Sequence, residues 1–168
     1  MLGRHGLWDG ASPPRLSSVD LRRADLVSAH LNGAILHEAH LEGADLSHAQ
    51  LERADLSYAC LTKGAMLYEV NLRNATLWFT RLEADFRFAD LSGAKLTRTE
   101  LQGPLYKVRL NEAELFGADF SRATLLDQVD WRGATDRGSD WPDDFTPEQR
   151  RAKGIESSPQ GNNPEGDY

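Results

Sequence analysis

Asp20, His40 and Cys60 stand twenty residues apart, in that order. A carboxylate that orients an imidazole, and an imidazole that takes a proton from a thiol, is the arrangement that turns cysteine into a nucleophile. His30, His37, His40 and His48 crowd one stretch and would suit a transition metal if they converged. Neither chemistry is local. Residues twenty apart meet only if the chain returns to the same place every twenty residues, so the elements that position them decide both cases.

Those elements are announced by a period. Leu21, Leu26, Leu31, Leu36, Leu41, Leu46, Leu51, Leu56 and Leu61 fall on every fifth residue, and Ala24 to Ala59 repeat at the same period. A helix needs apolar residues every 3.6 positions and a strand every 2, so a period of five fits neither. A heptad coiled coil is also excluded. A short strict period marks a solenoid, in which each unit buries its face only against its neighbours in the stack. The unit is Ala-(Asp/polar)-Leu-polar-polar, as in Ala24-Asp25-Leu26-Val27-Ser28 and Ala44-Asp45-Leu46-Ser47-His48. Two inward positions, one small and one large, alternate with outward polar ones, and two residues are left to turn a corner.

From about Leu16 to Trp131 this pattern resembles the pentapeptide-repeat family. The resemblance implies an all-β fold, a right-handed quadrilateral parallel β-helix in which four pentapeptides make one square coil. Ala and Leu then fill the interior and the remaining residues form four flat outer faces. With strands ~4.8 Å apart the rod is about 28 Å long. Each buried leucine contributes roughly 1.5–3 kcal/mol, enough in a stack to hold the fold without metal or disulfide.

The phase drifts beyond Leu61. The next centre is Met66 or Leu67, followed by Leu72, Leu77 and Leu82; four-residue steps give Phe86 and Leu105, and the series ends on Leu110, Leu115, Phe120 and Leu125. Irregular corners are expected near 66–72, 82–86 and 101–105, the last because Pro104 removes a ladder donor. The expected organisation is an N-terminal tail or cap over residues 1–13, with Leu7 and Trp8 over the first coil, and the β-helix over 14–135. A C-terminal cap over 136–156 and a disordered Gly/Pro-rich tail over 157–168 follow. Within the cap, Thr146 suits an N-cap, Pro147 the first helical position, Gln149 a capping box and Gly154 a stop, which predicts a short helix over 147–153. No apolar run approaches the ~20 residues that span a bilayer. The first fourteen residues lack the apolar core of a signal peptide. The single cysteine, Cys60, excludes an internal disulfide. A cytoplasmic bacterial protein without membrane contact is the expectation.

Twenty residues per coil turns the sequence into an address system. Asp20, His40 and Cys60 share the outward position before the central leucine in three successive coils, with Arg81 next. That position lies on a flat face, where neither an oxyanion hole nor a substrate cleft is foreseen, so ordinary polar contacts are expected rather than catalysis. The histidine spacings of 7, 3 and 8 send the four rings to four different faces. No metal site is expected, and no cofactor, since there is no P-loop, dinucleotide fingerprint or Cys-x-x-Cys pair.

The aromatics point to a partner. Tyr58 and Phe79 occupy the second position after their central leucines on one face. Trp78 lies beside Phe79, with Arg98 above and Phe116 further along. Directed outward, they have the composition of a protein interface; a corner distortion near Leu77 would instead turn Trp78 or Phe79 inward. A second group, Tyr68, Phe88 and Tyr106, falls on another face with Lys107 close by. The basic stripe needed to bind nucleic acid directly is absent.

The leading expectation is therefore a non-catalytic β-helical protein–protein interaction module. The resemblance supplies an alternative, because some family members bind DNA gyrase or related type II topoisomerases by imitating DNA. The chain carries a net charge of −7, but residues 14–135 hold 17 acidic and 14 basic side chains. Duplex DNA of the same length carries about 16 charges. Asp25, Asp45 and Asp85 form a candidate acidic face if they share a column. The resemblance leaves the chain either a monomer or an end-to-end homodimer joined through its C-terminal segment.

Overall fold

The computed structural model of the chain describes residues 12–157. The expected cap by Leu7 and Trp8 and all but the first residue of the expected tail lie outside these residues.

Each pentapeptide closes a tight turn. The carbonyl of the central leucine accepts from the backbone N–H three residues on, as from Ala24 to Leu21 at 3.0 Å and from Ala59 to Leu56 at 2.9 Å. The second residue after the leucine has positive φ, 59° at Arg23 and 61° at Tyr58. This is the type II pattern, which places the chain around a corner and frees the next alanine to point inward. The residue before the leucine pairs in parallel with its counterpart one coil on, as in Asp20↔His40 and Asn71↔Asp90. Four such columns run the length of the rod, one on each face of a right-handed quadrilateral β-helix. Aspartate is frequent in these columns for a local reason. The carboxylates of Asp25, Asp45, Asp55 and Asp119 accept the backbone N–H two residues on, at 2.8–3.2 Å. They buttress the turn in the manner of an Asx-turn.

The interior is a continuous stack of leucine and alanine, and Leu36 to Leu77 are fully buried at the central position. Thr80 and Thr99 replace alanine, and their buried hydroxyls donate to the carbonyls of Leu56 and Leu77. Among the described residues, the longer strands lie where the pentad breaks. β1 (Cys60–Met66), β2 (Arg81–Asp85), β3 (Glu100–Pro104) and β4 (Ala123–Thr124) form one parallel sheet in that order.

The breaks differ in detail from the sequence expectation. The first irregularity lies between Leu61 and Ala65, not over 66–72. The extra residue there makes Leu67 the buried centre and turns Met66 outward at 44% exposure. The short steps at 82–86 and 101–105 fall where β2 and β3 lie. At the end of the series Leu125 is not the centre. It takes a left-handed conformation with φ 63° and is 48% exposed, while Leu126 turns in at the start of a 3₁₀ turn, Leu126–Gln128.

The C-terminal end of the rod is closed by aromatics. Trp131 is fully buried and meets Phe120 edge-on at 5.6 Å; Trp141 stacks on Phe120 at 4.6 Å, and Phe145 lies 5.4 Å from Trp141. Helix α1 (Pro147–Ala152) starts with a full capping box between Thr146 and Gln149. None of its own residues is buried; Phe145 and Ile155 on either side supply the apolar contact. Lys153 Nζ donates to the Asp127 carbonyl at 2.6 Å and ties the helix to the 3₁₀ turn. The chain then adds one more rung, where β5 (Thr135–Asp136) pairs in parallel with β6 (Glu156–Ser157).

Candidate functional site

The carboxylate, imidazole and thiol do meet on one face. Asp20, His40, Cys60 and Arg81 are successive rungs of a single column. The first three, however, are engaged elsewhere. Asp20 forms a two-point pair with Arg22 at 2.6 and 2.8 Å, and that guanidinium holds its carboxyl well below the usual range. His40 Nδ1 faces Glu42 at 4.0 Å. Cys60 is buried, with Sγ 3.5 Å from Thr62 Oγ1. The imidazole therefore receives no orienting bond from Asp20. The four histidines occupy four faces, and among the described residues no group of three or more His, Cys, Asp or Glu converges.

The aromatic face is better formed. Tyr58, Phe79 and Arg98 occupy one column at the corner position, since the N–H of each donates to the rung below: Tyr58 to Trp78, Phe79 to Thr97 and Arg98 to Phe116. The Tyr58 and Phe79 rings stack at 5.0 Å with planes 7° apart, and the Arg98 guanidinium lies 5.6 Å from the Phe79 centroid. Trp78 stands in the adjacent column, with Thr97 and then Phe116 beyond it. No corner distortion turns these side chains inward. Tyr58 is 52% exposed, and Trp78 and Phe79 are 40% exposed each. Phe116 is half-buried. Sequence reasoning omitted His37, whose ring meets Tyr58 edge-on at 5.3 Å. Its place one position before the corner, one coil earlier, was the available signal.

The second group is a longer ladder, two faces further along the coil and thus on the opposite side of the rod. Edge-to-face contacts link His48 to Tyr68 at 5.6 Å, Tyr68 to Phe88 at 5.5 Å and Phe88 to Tyr106 at 5.4 Å. Lys107 caps it at 5.3 Å from Tyr106. His48 pairs with Glu69 at 3.3 Å, and the Glu69 carboxylate pushes the Tyr68 hydroxyl up. Tyr68, Phe88 and Tyr106 are half-buried, and His48 is exposed.

Asp25, Asp45 and Asp85 do share a column, but Met66 stands between Asp45 and Asp85. Asp85 is also neutralised by Arg87 at 2.6 Å. Two further pairs of the same form, Asp20–Arg22 and Asp130–Arg132, lie on other faces. A strip of negative charge comparable to a phosphate backbone does not form along this column.

Comparison with known proteins accords with this geometry. The family model for pentapeptide repeats matches eight copies, over residues 15–53, 34–66 and 65–103. No curated protein matches the chain. Among solved structures, full-length QnrB1, a plasmid-mediated fluoroquinolone resistance protein, superposes with a TM-score of 0.61 at 19% identity, over 86% of this chain and 72% of that one. A trypsin-treated form of QnrB1 gives 0.52 at 20% identity, over 88% and 74%. HetL, a pentapeptide repeat protein of the cyanobacterium Nostoc involved in heterocyst differentiation regulation, is 27% identical with a TM-score of 0.34, over 76% and 74%. The likeness to QnrB1 is one of fold.

Proposed function

We propose a function for a chain that belongs to the pentapeptide-repeat family: it is a non-catalytic interaction module, cytoplasmic and bacterial, that offers one flat face to a protein partner. The contact is centred on Tyr58, Trp78 and Phe79, with Arg98 and Phe116 at its edge. The observation that carries this reading is the exposure of three large aromatic side chains in adjoining positions of a face whose backbone is already paired. Large rings kept in water cost roughly 25 cal/mol per Å² of apolar surface, a cost that burial by a partner removes. Tyr, Trp and Arg are also the residue types that dominate measured interface energies.

The test is affinity capture from the native cell with the wild-type chain and with Trp78→Ser/Phe79→Ser, each quantified by mass spectrometry. Both side chains lie outside the backbone ladder, so the variant is expected to keep its circular dichroism and a cooperative melt, lowered only by the lost stacking on Tyr58, while losing the captured partner. Equal capture by a folded variant sinks the reading.

A second reading, a DNA-mimicking protein that binds a type II topoisomerase such as gyrase, draws support from the column shared by Asp25, Asp45 and Asp85. It has the weaker support, because Met66 interrupts the column and Arg87 neutralises its last member. Supercoiling by purified gyrase, with and without a fluoroquinolone, separates the two. The first reading expects no change at micromolar protein; inhibition or drug protection would reverse the order.

A further inference from the structure

We propose that the protein met by the Tyr58–Trp78–Phe79 face is a second copy of this chain. The two rods lie antiparallel, face to face, about a two-fold axis through the rung of Thr76, Trp78 and Phe79. This rests on reading that face as the contact surface and names its partner.

The first observation is a complementarity about that rung. In the column before the central leucine, Asp55 pairs with Thr76 and Thr76 with Lys95, so a carboxylate and an ammonium stand one coil to either side of the threonine. In the corner column, Tyr58 and Arg98 stand one coil to either side of Phe79 and both contact its ring. A two-fold axis that lies in the face and runs across the rod keeps each column and exchanges the coils on its two sides. The interface is then isologous, so every contact occurs twice. Asp55 faces Lys95 of the other copy, and the exposed Tyr58 ring faces Arg98 of the other copy, a cation–π pairing. The outward side chains that face themselves on the axis, Thr76, Trp78 and Phe79, are all uncharged.

The second observation is that these charges are unspent. Lys95 and Arg98 are exposed, and among the described residues neither forms an ion pair. One Asp55 oxygen accepts the Ser57 N–H at 2.9 Å, and no cation stands against the carboxylate among those residues.

The third is that other symmetric arrangements set like charges together, which disfavours them. A two-fold axis parallel to the rod exchanges the outer columns within a coil and brings Lys95 against Arg98. On the opposite face the corresponding rung carries Asp85 and Arg87, which already pair with each other at 2.6 Å. A transverse axis there would set each against its own copy. The proposed face is about three residues, or ~10 Å, wide and about 28 Å long. That is less than the ~800 Å² that each side of a stable complex buries. The dimer is therefore a weak one that exchanges with monomer.

The experiment is sedimentation equilibrium of the purified full chain from about 10 μM to about 1 mM, a range that brackets weak association. The wild-type mass is expected to rise from one chain toward two. Lys95→Glu and Asp55→Lys are each expected to weaken association at least tenfold, because each sets like charges together twice. Their column already holds Ile35, Thr76 and Glu114 as well, so both variants are expected to keep their circular dichroism. An equimolar mixture of the two restores both ion pairs and is expected to regain wild-type association. A wild-type chain that stays monomeric at about 1 mM overturns the proposal. So does association that neither variant weakens, which would place the contact elsewhere, and so does a mixture that fails to recover. The measurement needs no other protein. A monomeric wild type together with lost capture of a different protein by Trp78→Ser/Phe79→Ser ends this proposal and leaves the contact surface standing. Self-association and capture both unchanged in Trp78→Ser/Phe79→Ser would instead sink the contact surface itself.

Discussion

The ring of Tyr58 lies flat against that of Phe79, centroids 5.0 Å apart and planes within 7°, although a whole coil of chain separates the two residues. The solenoid alone brings them together: Tyr58 N–H donates to the Trp78 carbonyl at 2.8 Å and sets both side chains on the same corner. Stacked rings of this kind are worth about 0.5–1.5 kcal/mol beyond the area they bury. A double-mutant cycle of Tyr58→Ala and Phe79→Ala, read by chemical denaturation, is expected to return a coupling in that range. A coupling of zero would mean that the rings separate in solution.

Gly103 and Gly64 both have positive φ, at 116° and 81°, yet their surroundings differ. A Cβ at Gly103 would lie 2.7 Å from the Ala84 carbonyl oxygen, whereas one at Gly64 meets nothing within 4 Å. Backbone strain of this type costs about 1–3 kcal/mol. Gly103→Ala must add a clash with backbone that cannot yield, so it is expected to destabilise by clearly more than Gly64→Ala. Equal denaturation midpoints for the two variants would contradict the packing of β3 on β2.

Thr80 and Thr99 are fully buried and spend their hydroxyls on the Leu56 and Leu77 carbonyls. Replacement of either by valine keeps the volume and removes one hydrogen bond, an expected loss of about 1 kcal/mol. Thr97 is outward-facing and half-exposed, so Thr97→Val should stay within about 0.5 kcal/mol of wild type. The contrast, measured by urea melts, separates an inward threonine from an outward one two residues away.

The Asp20, Asp85 and Asp130 carboxyls are all held low, chiefly by the side-chain hydrogen bonds from Arg22, Arg87 and Arg132. A carboxyl depressed in the folded state contributes stability that is present above its unfolded value, near pH 4. That contribution is lost as the pH falls through the folded value. Carboxyl ¹³C titration should place all three midpoints below 3.8. Arg22→Gln, Arg87→Gln and Arg132→Gln should each raise the midpoint of their own aspartate alone. A midpoint that stays put on loss of its arginine would mean that the exposed pair does not persist in solution.

The unbroken leucine and alanine series determined the interior by itself. A side chain that must leave water at every fifth position marks a solenoid, and the four pentapeptides per coil implied by the family resemblance supplied the address that stacks Asp20, His40 and Cys60 and separates the histidines. The capping box at Thr146 was legible because its signals lie within four residues. Tertiary structure decided the rest. Whether Met66 or Leu67 turned in depended on where an extra residue was absorbed, and the bulge at Leu61–Ala65 was set by pairing with β2, a coil away. Leu125 lost its place to Leu126 through the local 3₁₀ turn. The candidate site was half legible. Register placed Tyr58, Phe79 and Arg98 in one column, but only the folded rod showed that Trp78 stays in water. The same is true of Asp20, which serves Arg22 rather than His40. Outward side chains carry no burial constraint, so their partners are chosen by geometry between coils and not by the period that built the coils.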